Sequence, residues 1–157
     1  MSHQRVEVSA VIQAPAELVY SILADYREGH PLILPRQYFS PLEVEGGGNG
    51  AGTVIRFQMR VLGTTRSFRM AIDEPEPGRV LTETDVESGI TTIFTVSPIE
   101  ERRQSHAAIA TELSSRGGVL GWLERVVTSA MLRRIYAQQL KLLAALAEKR
   151  SLAANRN

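Results

Sequence analysis

Residues 117–150, GGVLGWLERVVTSAMLRRIYAQQLKLLAALAEKR, decide how this chain is read. The segment reads as one long helix entered through the Gly117-Gly118 break, and at 1.5 Å per residue it spans roughly 50 Å. Its apolar stripe changes direction. Val119, Leu120, Leu123, Val126, Val127 and Ala130 centre on one side, whereas Ile135, Leu142, Leu143 and Leu146 centre more than about 100° away. The two halves are expected to face different partners, with some bending between them. The first half closes a cavity, and the second packs on the sheet or on another subunit. The tail after Arg150, SLAANRN, is expected to fray.

Everything before this helix reads as short strands joined by turns. In residues 4–13, Val6, Val8, Ala10 and Ile12 share one face, while Glu7, Ser9 and Gln13 share the other. That period of two marks a half-buried strand. Ala14-Pro15 stops it and opens a helix, in which Leu18, Val19, Ile22, Leu23 and Tyr26 recur at helical spacing. His30-Pro31 and Leu34-Pro35 break the chain after this helix, so 28–36 is read as a short irregular helix or lid. Further strands are predicted at about 38–45, 53–62, 65–73, 79–86, 90–97 and 104–114. Their separators are the Gly46–Gly52 run, Gly63, Pro75–Gly78, Ser88-Gly89 and Glu100–Arg103. Regular spacing with short turns predicts an antiparallel meander.

The bulk numbers agree with one globular unit. At 157 residues, with 43% hydrophobic and 22% charged content, the chain is long and apolar enough for a sizeable core. A formal net charge of +1 gives no reason to expect nucleic acid. The absence of cysteine excludes disulfides, thiolate chemistry, Fe–S clusters and Cys-type zinc sites. No apolar run is long enough for a membrane span, and MSHQRVEVSA has no signal-like apolar region, so a cytoplasmic protein is expected. No repeat or second domain is visible. Residues 1–157 are read as one domain, with its core at about 4–149 and a tail at 151–157.

Four motifs, taken in order, resemble one family. RVEVSAVIQAPAELVYSILADY (5–26) places Ala14, Pro15, Val19, Tyr20, Leu23 and Asp25 in the pattern x-A-P-x-x-x-V-[WY]-x-x-[IL]-x-D. VEGGGNGAGTVIRF (44–57) looks like an acidic, Gly-rich hairpin, and EPEPGRVL (74–81) like the turn into a fifth strand. The segment from Gly117 resembles a closing helix. Together they resemble the SRPBCC superfamily (START-like, Bet v 1-like, polyketide cyclase/dehydrase). The resemblance implies an α+β helix-grip fold: a seven-stranded curved antiparallel sheet around a long C-terminal helix, with two short helices between the first two strands. It also implies a deep pocket between sheet and helix. Members bind lipids, sterols, polyketides, hormones or flavonoids, and some are cyclases or aromatases.

In that fold the cavity is expected to be lined by Ile33, Ile55, Phe57, Met59, Phe68, Met70, Phe94 and Ile109, with Leu120, Leu123, Val127 and Met131 from the helix. Leu113 lies on the same inner face. Plain core is the ordinary reading of any one of these residues. Methionines suit a pocket that adapts to its ligand.

The candidates for acid/base work are Glu83, Arg66 and Tyr26. Glu83 and Asp85 share a face of the fifth strand with Leu81. Val80, Thr82, Thr84 and Val86 make an equally good inner face, and solvated surface is the expectation for the two acids. Arg66 is in phase with Phe68 and Met70 and could hold a ligand carbonyl at the mouth; an exposed hairpin arginine is the ordinary reading. Tyr20, Tyr26, Tyr38 and Tyr136 can each offer a hydroxyl, but usually serve as core or rim. Trp122 reads as a rim or interface residue.

His3, His30 and His106 read as isolated, with no metal-ligand spacing, so neither a metal nor a cofactor is expected. The Gly46–Gly52 run fits neither G-x-G-x-x-G nor a P-loop. The first functional expectation is binding of a hydrophobic small molecule, with burial worth about 25 cal/mol per Å² before ordering costs. The second is a cyclase/dehydrase-type enzyme that exchanges protons with a polyketone in the pocket. A third is an interaction protein with a vestigial cavity that pairs as a homodimer.

Overall fold

The computed structural model describes residues 3–114 and 129–156. The expectations placed on the Gly117-Gly118 break and on Leu120, Trp122, Leu123 and Val127 lie outside the described residues. The chain runs β1 (His3–Ile12), α1 (Ala16–Ala24), a short 3-10 segment (His30–Ile33), β2 (Glu43–Gly46), β3 (Val54–Val61), β4 (Thr64–Glu76), β5 (Val80–Asp85), β6 (Thr91–Ile99), β7 (Gln104–Ser114) and α2 (Ser129–Ala154). Seven antiparallel strands form one sheet in the order β1-β7-β6-β5-β4-β3-β2. This is the helix-grip arrangement. The long helix packs on β1, β7, α1 and the 3-10 segment. No helix among the described residues is long and apolar enough to cross a membrane.

Alternation places the core. On β3, Ile55, Phe57, Met59 and Val61 are buried, while Arg56, Gln58 and Arg60 are exposed. The register sets Ile55 against Met70 and Phe57 against Phe68, so aromatic and thioether side chains meet on the inner face. Two strands differ from expectation for a proline reason. β4 continues to Glu76, because a register shift between Asp73 and Glu76 absorbs Pro75, which has no N–H to give the ladder. The strand expected at 38–45 is split. Phe39 bridges Met59, Pro41 interrupts, and pairing resumes only at Glu43.

The Gly-rich run is not a free hairpin tip. It folds back on the end of α1: Tyr26 N–H donates to Gly48 O at 2.9 Å and Gly50 N–H to Ala24 O at 2.9 Å. Gly48 has a φ of 141°, and a Cβ there would meet the Arg27 side chain. Glu74 fastens the same corner, accepting from Ala51 N–H at 2.8 Å and from the Tyr20 hydroxyl at 2.6 Å.

In α2, Leu132, Ile135, Tyr136, Gln139, Leu140, Leu143 and Ala147 are buried, a stripe at steps of three and four. Leu142, expected on that stripe, is 39% exposed, because one residue from Leu143 is a rotation of about 100°. The helix also continues past Arg150 to Ala154, where fraying was expected.

Candidate functional site

Three strands contribute one polar row to the inner face. The register pairs Glu83 of β5 with Thr92 of β6, and Thr92 with Thr111 of β7. Neighbouring strands lie about 4.8 Å apart, so the three side chains stand side by side. The Thr92 and Thr111 hydroxyls are 3.1 Å apart. Tyr136 descends from α2 to bond Thr111. Burial pushes the Tyr136 hydroxyl above its ordinary pKa, opposed in part by its bonds to Thr111 and Thr92.

The expectation that Glu83 and Asp85 are solvated is overturned: their exposures are 7% and 3%, against 55% for Val86. The pairing of Leu81 with Phe94 fixes the phase of β5 and so carries both acids inward. Each is buried with partners, as a buried charge requires. Asp85 is structural. It accepts from Ser88 N–H and Oγ, at 2.9 and 2.7 Å, and closes the turn after β5.

Glu83 is held from the helical side. The Tyr26 hydroxyl donates to its Oε2 at 2.7 Å, and His30 Nε2 lies 3.3 Å from the same oxygen. The His30 ring stacks on Tyr26 at 4.4 Å and meets the edge of Phe94 at 5.5 Å. His30 is 1% exposed, so it is neither isolated nor part of an open lid. Two backbone carbonyls place it: Asp25 O accepts its N–H at 2.7 Å, and Leu23 O lies 2.8 Å from Nδ1. A carbonyl only accepts, so Nδ1 carries a hydrogen. Burial, followed by the Glu83 charge, pushes the Tyr26 hydroxyl well above its ordinary pKa, so it remains a donor.

These groups border a cavity of about 60 Å³. That is room for a few waters, so a larger occupant requires wall side chains to move. Of the expected lining, Ile55, Phe57, Met59, Phe68, Met70 and Phe94 border it, as does Glu83. Ile33 and Ile109 are fully packed into the core and are not on the wall. Met131 lies half-buried against the core, and Leu132, one helical step on, takes the lining position. Arg66 is also off the wall, half-exposed at the β3–β4 hairpin with Glu87 4.0 Å away. Tyr26 reaches the site through its bond to Glu83.

His30, Thr92, Thr111 and Gln139 border the cavity without having been singled out as lining. The available signal was a polar residue in the inner phase of three successive strands, as in Leu81-x-Glu83, Thr92-x-Phe94 and Ile109-x-Thr111. Among the described residues, no group of three His, Asp or Glu could hold a metal.

The sequence matches the family described as polyketide cyclase / dehydrase and lipid transport over residues 3–148. No curated protein sequence matches the chain closely enough to count as a relative. Among solved structures, the KanY protein is similar at 27% identity and a TM-score of 0.80, with 94% of this chain and 99% of that one covered. The Zhui aromatase/cyclase from Streptomyces sp. R1128 is similar at 20% identity and TM-score 0.68, covering 95% and 96%. A START superfamily protein from Mycobacterium smegmatis is similar at 16% identity and TM-score 0.65, covering 98% and 99%. The last two likenesses are of fold.

Proposed function

Because the chain belongs to the polyketide cyclase / dehydrase and lipid transport family, we propose that it binds a hydrophobic small molecule in the cavity between the sheet and α2. One observation carries this reading: the wall is divided. Ile55, Phe57, Phe68 and the two methionines make an apolar side, while Glu83, Thr92, Thr111 and Tyr136 make a polar row. Such a wall suits an aromatic or polyketide-like body with carbonyl or hydroxyl groups along one edge, better than a bare alkyl chain. Burying the apolar part supplies the affinity, and the polar row sets orientation. Met59 and Met70 adapt as the ligand widens the space, and access is past the 3-10 segment.

A second reading, a cyclase/dehydrase-type enzyme, is favoured by the cluster at Glu83. Its carboxylate borders the cavity and can take a proton from a ligand carbon flanked by carbonyls, while the hydroxyls of the polar row donate hydrogen bonds to the enolate oxygen that results.

The test is native mass spectrometry of freshly purified protein, followed by denaturing extraction. A co-purifying aromatic or polyketide-like molecule near one-to-one is the expected result. If the protein is empty and gains no mass from a panel of aromatic ketones, the binding reading falls.

A further inference from the structure

A groove of about 890 Å³ adjoins the cavity, and the two share Leu34, Phe39 and Leu42. One bank is the segment before β2, which runs beside β3: Arg60 N–H donates to Tyr38 O at 2.7 Å and Ser40 N–H to Gln58 O at 2.9 Å. Arg36 lies in the turn that Pro35 O closes with Tyr38 and Phe39 N–H, at 3.1 and 3.0 Å, and it borders the groove together with Arg60. Arg27 comes from the end of α1, its Nη2 on Gly47 O at 2.8 Å.

All three arginines border the groove, and its described lining contains no aspartate or glutamate. Nor does any of the three form an ion pair among the described residues. The contrast lies on one strand. Arg56, also on β3, reaches Glu45 at 3.5 Å, and Glu45 binds Arg69 as well. Arg60 has no such partner. In a chain of net charge +1 this is a local accumulation of guanidinium groups without a carboxylate partner among the described residues. Guanidinium forks match carboxylate and phosphate oxygens in pairs.

We propose that this groove takes the anionic head, a carboxylate or phosphate, of a ligand whose apolar body lies in the cavity. The natural ligand is then an amphiphilic anion rather than a neutral hydrocarbon or alcohol. This rests on the ligand-binding reading above.

Dodecanoate, dodecyl phosphate and dodecanol share one tail and differ in head, so titration calorimetry with the three tests the proposal. The anions should bind the native protein roughly tenfold tighter than the alcohol. That advantage should shrink as salt is raised from about 50 mM to about 500 mM. The two anions' order tells a carboxylate head from a phosphate head, and either order supports the proposal. An Arg36→Glu/Arg60→Glu variant, altered only at exposed side chains, should lose the advantage while binding dodecanol as before. Arg56→Glu, on the same strand but outside the groove, should keep it. Equal binding of anion and alcohol, or an advantage that survives the double charge reversal, overturns the groove proposal alone. Binding of none of the three also overturns the groove proposal, whereas the cavity reading stands or falls separately with the aromatic-ketone panel.

Discussion

The rings of Tyr26 and His30 stack with centroids 4.4 Å apart and 20° between their planes, and their polar ends converge on one oxygen of Glu83. Both residues leave the corner where α1 ends, whereas Glu83 comes from mid-sheet. The cluster therefore ties the two layers together at the cavity.

If the Tyr26 hydroxyl acts mainly through Glu83, its contribution disappears with the carboxylate. Tyr26→Phe should cost about 1 kcal/mol of unfolding free energy in the native background, where the lost bond is charge-assisted and buried. In a Glu83→Ala background the same change should cost nearly nothing. A coupling of about 1 kcal/mol in this double-mutant cycle, from urea titrations, is the expected result. Additive costs would show that the ring, not the bond, stabilises the fold.

Alkaline pH should weaken the protein through its buried tyrosines. Burial raises the hydroxyl pKa of Tyr26, Tyr136 and Tyr20, with the neighbouring carboxylates Glu83 and Glu74 adding to the rise at Tyr26 and Tyr20. In the unfolded chain a tyrosine titrates near pH 10. Above that value the unfolded state loses protons the folded state keeps, so stability falls as pH rises toward the folded values. Below about pH 10 this contribution is fully present. The urea midpoint should hold between about pH 7 and pH 9 and then drop by about pH 11. Tyr26→Phe should show a shallower drop. A midpoint level through that range, or an equal drop in the variant, would contradict the assignment.

Thr111 joins Thr92 to Tyr136 across the cavity wall. Thr111→Val keeps the shape and removes the hydroxyl, leaving Tyr136 with Thr92 as its partner on the sheet. A loss of about 1 kcal/mol is expected. Affinity should fall for an aromatic ketone but hold or rise for the matching hydrocarbon, since the wall becomes more apolar. Equal effects on both compounds would mean that the row does not face the ligand.

The inner face of β3 was legible because strict alternation of Ile55, Phe57 and Met59 against Arg56, Gln58 and Arg60 leaves one reading. β5 was not. VLTETD offers a β-branched face and an acidic face of equal plausibility, and single-strand patterning favours solvent for the acids. Only the register with β6 and the arrival of Tyr26 and His30 from a distant segment make burial of Glu83 tolerable. That information is tertiary. His30 was obscured in the same way: its surroundings are two backbone carbonyls, a stacked ring and a carboxylate, none of which its sequence neighbours announce. The proline effects at Pro41 and Pro75 were local, yet they shifted strand limits rather than strand existence.

Gly29 is the hinge on which the His30 placement depends. Its φ of −89° and ψ of −62° are ordinary helical values, so backbone freedom is not why glycine stands there. Space is. A Cβ on Gly29 would sit 2.6 Å from the carbonyl oxygen of Ile22 and 3.1 Å from its Cα, both backbone atoms of α1 that cannot swing aside. Gly29→Ala must therefore lift the 3-10 segment off α1, carrying the His30 ring away from Leu23 O and Glu83. A cost of about 1–3 kcal/mol is expected, as for other overpacked sites. The displaced imidazole should also change its NMR resonances, and aromatic-ketone affinity should fall. Gly46→Ala is the control, because its φ is not positive and nothing lies within 4 Å of its added Cβ; it should change stability by less than about 0.5 kcal/mol. If Gly29→Ala matches that control in urea midpoint and leaves the His30 resonances in place, contact between the 3-10 segment and α1 does not position the histidine at the cavity.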